Sequence, residues 1–218
     1  VASEHGLAVV EDACHALGAA RVGACDRSAM AAFSLHPVKT IAAGEGGVVT
    51  TNDDALAERV LRLRNHGLTR DPRHFTGGTQ ASDSNGDANP WYYEMHELGY
   101  NLRISDINCA LGRSQLKKLF RFVQRRQHLA SLYDKLIEPL SPAIRPITHM
   151  NNGTPAWHLY VVLIDFEKIG VNRSTVMHKM SDLGVGTQVH YLPVHHQPYY
   201  REPYGQQDFP GSALYYAQ

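Results

Sequence analysis
The sequence has no apolar run near the ~20 residues of a membrane helix, so no stretch of it reads as a helical span. It has no excess of either charge. Twenty-one Lys and Arg balance 21 Asp and Glu, so the chain has no overall pull toward nucleic acid or an anionic membrane. A local basic patch is the one such route left open. Cysteine is scarce. Cys14, Cys25 and Cys109 are odd in number and lack metal-ligand spacing, which points to reduced thiols in a cytoplasmic protein, not a disulfide framework. Repeats and low-complexity tracts are missing, as are an initiator methionine and a signal peptide. Val1 to Gly6 reads as the last turn of a helix, and Ser212 to Gln218 as the beginning of another. The expectation is a fragment truncated at both ends.

What is present is enough for a real core: 218 residues, 43% of them hydrophobic. The chain is organised around Phe33 to Gly47, where Lys39 follows an apolar strand and a Gly-rich turn leads into Val48-Val49-Thr50-Thr51. Such a lysine is held by rigid elements, next to backbone that can approach a ligand closely. Upstream, Leu7 to Val10 reads as a strand buried on both faces of a parallel sheet. Glu11 and Asp12 close it at the end where open α/β sheets place their ligands. Asp12, His15, Ser34 and Lys39 are therefore expected to meet around one cofactor. Thirteen histidines make any single one weak evidence.

Asn52-Asp53-Asp54 supplies a cap for a helix from Ala55 to Asn65, closed by His66-Gly67. Thr69 to Pro90 is polar, without period, and reads as a long loop. Ser105-Asp106 caps a helix over about 107–136, with an apolar stripe at Leu111, Leu116, Leu119 and Val123. Its basic face reads as solvated. Pro139, Pro142 and Pro146 mark a domain change, giving 1–140 to a larger domain and 141–218 to a smaller one. In the second, Trp157 to Ile164 reads as a strand, Asn172 caps a helix to about Leu183, and Thr187 to Tyr191 reads as a further strand. His190, His195 and His196 do not have a convergent ligand spacing, and no carboxylate accompanies them, so no metal is expected.

Asp12-Ala13-Cys14-His15-Ala16-Leu17-Gly18-Ala19, then Phe33 to Lys39 and Gly44-Glu45-Gly46-Gly47, resemble the DegT/DnrJ/EryC1/StrS sugar aminotransferases. Leu98 to Asn108 matches a further block of that family. The resemblance implies an α/β fold of pyridoxal-phosphate (PLP) transferase type I. That fold is a mostly parallel sheet with flanking helices, here with part of a small α+β C-terminal domain. Trp91 to Asn101 and Gln188 to His195 look like the subgroup that aminates C4 of a UDP-linked 4-keto-6-deoxy-N-acetylhexosamine. Aminotransferases of UDP-4-keto-pentoses or dTDP-4-keto-6-deoxyhexoses are the near alternatives. In fold-type I enzymes the phosphate-binding turn and the aromatic that stacks on PLP lie upstream of this sequence.

Roles follow from the resemblance. Lys39 would form the Schiff base with PLP and then move protons as acid and base, a task that needs a lowered lysine pKa. Asp12 would pair with the pyridine nitrogen and keep it protonated. His15 would lie against the ring or its phenolic oxygen. Ser34 would bond the phosphate or that same oxygen. Asn101 would reach the phosphate of the other subunit across a homodimer interface. Arg103, His190 and Tyr191 would border the nucleotide sugar. Glutamate would donate the amine, and neither nucleic acid nor membrane is an expected partner. Some relatives are sugar dehydratases in which histidine replaces the lysine, a reading that Lys39 disfavours. A catalytically silent regulatory relative is disfavoured by the intact chemistry residues.

Overall fold
Three short strands, the first two of alternating burial, build the sheet that carries the candidate residues. The chain, seen in a computed structural model that describes residues 1–148, 153–205 and 207–218, divides into two compact units. The first comprises Val1–Arg125 and Gly153–His158, the second Arg126–Asn152 and Leu159–Gln218. These units part between Arg125 and Arg126, within the helix Leu119–Ile137, whereas the expected change of domain after 140 lies beyond that helix.

In the first unit β1 (Val10–Asp12), β2 (Met30–Ser34) and β3 (Gly47–Thr50) form one sheet in that order. β1 runs parallel to β2 with Asp12 opposite Ala32, and β2 runs antiparallel to β3 with Ser34 opposite Gly47. Ala31 and Phe33 point inward, as the two-residue period of a strand requires, and pack with Ala13 and Cys25. Leu35, Ile41 and Ala43 make a second cluster, with Ile104, Leu119 and Phe122 packed on it. The strand expected over Leu7 to Val10 is corrected on two counts. It begins at Val10, and it is exposed, with Leu7 at 63% and Val10 at 59%. The exposure means that among the described residues little packs on the faces of β1, which pairs with β2 on one side only.

Helix α1 (Asp54–Leu63) starts where Asp53 accepts the amides of Ala55 and Leu56 at 2.8 and 3.1 Å. After it the chain turns back through His66 and Gly67, both with positive φ. A Cβ on Gly67 would lie 1.7 Å from the Glu97 carbonyl oxygen, so only glycine fits there. β4 (Leu68–Thr69) pairs antiparallel with β5 (Glu94–Met95) and closes the base of the long polar segment. That segment is tightly fastened. Glu94 accepts hydrogen bonds from the Thr76 amide (2.7 Å), the Thr76 hydroxyl (2.9 Å) and the Tyr92 hydroxyl (2.9 Å), and its carboxylate lies 2.8 Å from His96 Nε2. These bonds, the Thr76 amide first and His96 next, hold its carboxyl down to about 2.

The single helix expected over about 107–136 is two: α2 (Asp106–Leu116) and α3 (Leu119–Ile137), parted at Lys117-Lys118. The break falls without glycine or proline. Lys118 N–H donates to Gln115 O in a tighter turn, and α3 then presents Leu119 and Val123 to the turn around Gly18. Half of the expected stripe is buried as a result. Val123 is buried and Leu119 half-buried, whereas Leu111 and Leu116 face outward and Gly112 sits against Ala43 in their place.

The second unit pairs β6 (Ile144–Pro146) antiparallel with β7 (Val162–Ile164), followed by α4 (Phe166–Ile169), α5 (Arg173–Asp182), α6 (Pro198–Tyr204) and α7 (Pro210–Ala217). The strand expected over Trp157 to Ile164 is thus confined to its last three residues. Thr187 to Tyr191, expected as a strand, has no ladder partner among the described residues and runs as irregular chain. Asn172 caps α5 as expected, accepting the Thr175 amide at 2.8 Å. Arg173 ties this unit together: its guanidinium lies over the rings of Phe166 and Tyr216 and donates to the Tyr216 carbonyl. Tyr160 donates to Asp134 at 2.6 Å, and burial, then that carboxylate, push its hydroxyl pKa up. Among the described residues no helix is long and apolar enough to cross a membrane.

Candidate active site
The C-terminal ends of β1 and β2 bring the first candidates together. Asp12 is the last residue of β1, and the next amide, Ala13 N–H, still bonds Ala32 O at 2.8 Å before the chain bends away. That bend lets the Asp12 carboxylate accept the Cys14 amide at 3.1 Å. The Cys14 thiol beside it, then this amide, hold the Asp12 carboxyl below the usual range, helped by the positive charges of His15 and Lys39. The carboxylate in turn pushes the Cys14 thiol up. Three of the four expected partners, Asp12, His15 and Lys39, therefore share one electrostatic neighbourhood.

Ser34 closes β2, and its hydroxyl accepts the His36 amide at 3.3 Å. A tight turn follows in which Lys39 N–H donates to His36 O at 2.9 Å. Lys39 itself is half-buried, while Thr40, Ile41 and Ala43 behind it are buried. Leu35 pins both sides of the loop: its amide donates to Gly46 O, and its carbonyl accepts the Ala43 amide, each at 2.9 Å. Gly46 has φ 144°, and a Cβ there would lie 2.6 Å from Ile104 Cδ1. The lysine loop is thus a rigid platform, and its rigidity comes from packing behind it.

Part of that packing is Asn108, a residue the motif reading quoted without a role. Its side-chain amide donates to Ala43 O, while Ser105 Oγ accepts the Asn108 amide at 3.2 Å. The first turn of α2 so clamps the lysine loop from 65 positions away. Ser105 as a helix cap was legible in the sequence; that the capped turn reaches Ala43 was not. His158 was missed as well. The segment 153–158 returns to the first unit, where Ala20 N–H donates to Thr154 O at 3.3 Å and Ala156 is buried. This brings the His158 ring to 4.3 Å from the His15 ring, tilted by 57°.

Asn101 and Arg103 lie elsewhere in the same unit, at the C-terminal end of α1. Asn101 forms an isolated antiparallel bridge with Asn65, and Arg103 Nη1 donates to Asn65 Oδ1 at 2.6 Å. Both side chains are exposed. His190 and Tyr191 belong to the second unit, where their rings sit 4.1 Å apart. His195 and His196 pack as aromatics, His195 edge-on to Phe209 at 4.7 Å. Among the described residues no three His, Cys, Asp or Glu side chains come together as a metal site.

The chain matches the DegT/DnrJ/EryC1/StrS aminotransferase family over residues 1–218. It is 37% identical to the spore coat polysaccharide biosynthesis protein SpsC of Bacillus subtilis, over 99% of this chain and 54% of that protein. Among solved structures it superposes on PseC of Helicobacter pylori, an aminotransferase involved in the biosynthesis of pseudoaminic acid. There the TM-score is 0.82 and the identity 26%, over 99% of this chain and 54% of that one. DesV of S. venezuelae, solved in complex with a ketimine intermediate, gives a TM-score of 0.74 and 31% identity, over 99% of this chain and 52% of DesV. The chain spans about half the length of these relatives. Its fold is that of the PLP-dependent aminotransferases, mixed α and β.

Proposed function
The chain belongs to the DegT/DnrJ/EryC1/StrS aminotransferase family, and from that premise we propose that the protein is a PLP-dependent transaminase of nucleotide-linked keto sugars. Aminotransferases of this family depend on PLP. The observation that supports the reading is geometric: Asp12 ends β1, and the parallel neighbour β2 ends at Ser34 and runs straight into the turn that holds Lys39. The chemistry of these residues and of His15 fits the cofactor: a carboxylate held ionised, a primary amine on a rigid loop, an imidazole and the nearby Ser34 hydroxyl.

Bound PLP supplies an electron sink that lets an amino group pass between two carbon skeletons. Asp12, whose carboxyl Cys14 holds below the usual range, would hold a proton on the ring nitrogen. Lys39 Nζ would bind the cofactor aldehyde at rest. Once released, it would take the proton from the amine-bearing carbon of glutamate and later deliver one to C4 of the sugar. His15 would contact the phenolic oxygen, and Ser34 that oxygen or the phosphate. Asn101 would serve the phosphate of a second subunit in a homodimer, and Arg103, His190 and Tyr191 would border the nucleotide sugar. The balance is glutamate plus keto sugar to 2-oxoglutarate plus amino sugar.

For substrate we favour a UDP-linked 4-keto-6-deoxy-N-acetylhexosamine, supported by the likeness to PseC. UDP-4-keto-pentoses and dTDP-4-keto-6-deoxyhexoses are the competing substrates. A cytoplasmic site of action and a division into domains at about residue 140 complete the proposal. The test uses the complete protein with PLP, glutamate and a panel of UDP- and dTDP-4-keto sugars, following 2-oxoglutarate release. Release with the N-acetylhexosamine above all others is expected, with absorption of bound cofactor that Lys39→Ala abolishes. Unchanged cofactor absorption in Lys39→Ala would overturn the assignment of Lys39.

A further inference from the structure
The loop that carries Lys39 is closed on itself by the two hydrogen bonds of Leu35, to Gly46 O and from the Ala43 amide. Asn108, in the first turn of α2, fastens it to a separate element by donating from Nδ2 to Ala43 O. The orientation of that side-chain amide is set from its other end. Ser105 Oγ accepts the Asn108 main-chain amide at 3.2 Å and donates to Asn108 Oδ1, so Nδ2 is the end that faces Ala43. Glycines permit the close approach. Gly44 has φ 82°, and a Cβ there would lie 2.8 Å from Asn108 Nδ2. Gly112, one turn further along α2, is buried, and a Cβ on it would come to 3.4 Å from that of Ala43, itself buried. Ala43 lies four positions after Lys39, and Thr40 and Ile41 between them are buried. A run so short and so packed has little slack, so a shift at Ala43 reaches Lys39.

We propose that Asn108 is a positioning residue, which by its bond to Ala43 O holds the lysine loop where Lys39 Nζ meets the cofactor aldehyde. That the amine meets this aldehyde rests on the proposed function; the fastening of the loop does not. The bond between amine and aldehyde forms with loss of water, a step sensitive to small displacements of the amine. Two replacements separate the parts of the Asn108 side chain. Asn108→Asp keeps its shape and the acceptor toward Ser105 and removes the donor toward Ala43. Asn108→Ala removes both ends without adding charge. Asp53→Ala, which removes the cap of a different helix, α1, is the control for a general loss of stability.

The experiment has two arms on the complete protein. In the first, without cofactor, hydrogen exchange is followed at the Leu35 and Ala43 amides, which close the loop. Asn108→Asp and Asn108→Ala are each expected to speed it about tenfold beyond Asp53→Ala, the scale of one lost hydrogen bond. Exchange no faster than in Asp53→Ala overturns the proposal, whatever the cofactor does. In the second arm PLP is mixed with wild type, Asn108→Ala and Asp53→Ala, and its covalent capture is followed by absorbance. Borohydride reduction and mass analysis place the captured cofactor on Lys39. In Asn108→Ala the rate of capture at saturating PLP should fall about tenfold, with the half-saturating concentration within about twofold of wild type. A mere loss of folded protein would lower the amplitude and leave the rate, as expected for Asp53→Ala. Capture as fast as in wild type, or slowed equally in Asp53→Ala, overturns the positioning role. A wild-type protein that captures no PLP on Lys39, while its loop amides respond to Asn108, would instead sink the cofactor reading and leave the fastening of the loop standing.

Discussion
In the proposed mechanism Asp12 and Lys39 would divide the chemistry between a residue that must stay charged and one that must change its bonding. Asp12 is exposed, yet its carboxyl lies below the usual range because Cys14 donates to it. Asp12→Asn removes the anion while keeping the shape. It is expected to lower the transamination rate at least about a hundredfold, since preorganised charge beside a developing charge is worth that much. Single-turnover absorbance with glutamate checks it, and a rate within threefold of wild type would remove Asp12 from the mechanism. Both residues stood out as candidates in the sequence because each follows an apolar strand in a recognisable block. His158 and Asn108 were not legible, because a side chain that matters through tertiary contact carries no local signature. Nothing near Asn108 in the sequence points to Ala43, nor anything near His158 to His15.

At the scale of elements, caps read true and lengths did not. Asp53, Ser105 and Asn172 all cap the helices that begin after them, since a side-chain oxygen bonding an amide two or three residues on is a local event. Asp53→Ala is expected to destabilise the first unit by about 1 kcal/mol, read as a shifted denaturant midpoint. An unchanged midpoint would mean that α1 is held by its packing alone. The helix break at Lys117-Lys118 and the exposure of Val10 depend on neighbours, which no window of sequence contains. The long segment after β4 makes the same point. Its polar, periodless sequence hides Asp71 close to Arg73 and a tie to Glu94 on β5, whose carboxylate makes four hydrogen bonds with Thr76, Tyr92 and His96.

Both carboxyls are depressed to about 2, Glu94 from 4.5 and Asp71 from 3.8. A carboxyl depressed by folding contributes stability that is fully present above its unfolded pKa and lost as pH falls through the folded one. The segment is therefore expected to stay closed above about pH 4.5 and to loosen progressively toward pH 2. Hydrogen exchange at the Thr76 amide, compared between wild type and Glu94→Gln, measures it. Glu94→Gln should exchange faster at neutral pH and lose the acid-dependent step, because it has no carboxyl to titrate. Equal exchange in the two proteins at neutral pH would show that the network does not hold the segment.

The whole molecule raises the question of where Asn101 acts. It is exposed, bridged to Asn65 at the end of α1, in a region whose neighbours Leu98, Tyr100, Leu102 and Ile107 are 68–88% exposed. Apolar side chains in such a run are suited to an interface. If Asn101 serves the other subunit's site, mixing Lys39→Ala and Asn101→Ala subunits should regenerate activity that neither variant has alone, because hybrid dimers carry one intact site. No recovery in demonstrated hybrids would confine Asn101 to its own subunit.

By itself the sequence set out the candidate chemistry and its order along the chain, carboxylate, histidine, serine, lysine and the glycines after it, and it determined the helix caps. Those are local facts, fixed by strand ends, turn residues and hydrogen bonds that span two or three positions. Only the tertiary structure decided which groups stand behind that chemistry. Asn108 clamping the lysine loop and His158 facing His15 both follow from how the chain folds back on itself. The physical reason is that burial and ring contact are properties of neighbours in space, and these neighbours lie up to 143 positions apart, from His15 to His158.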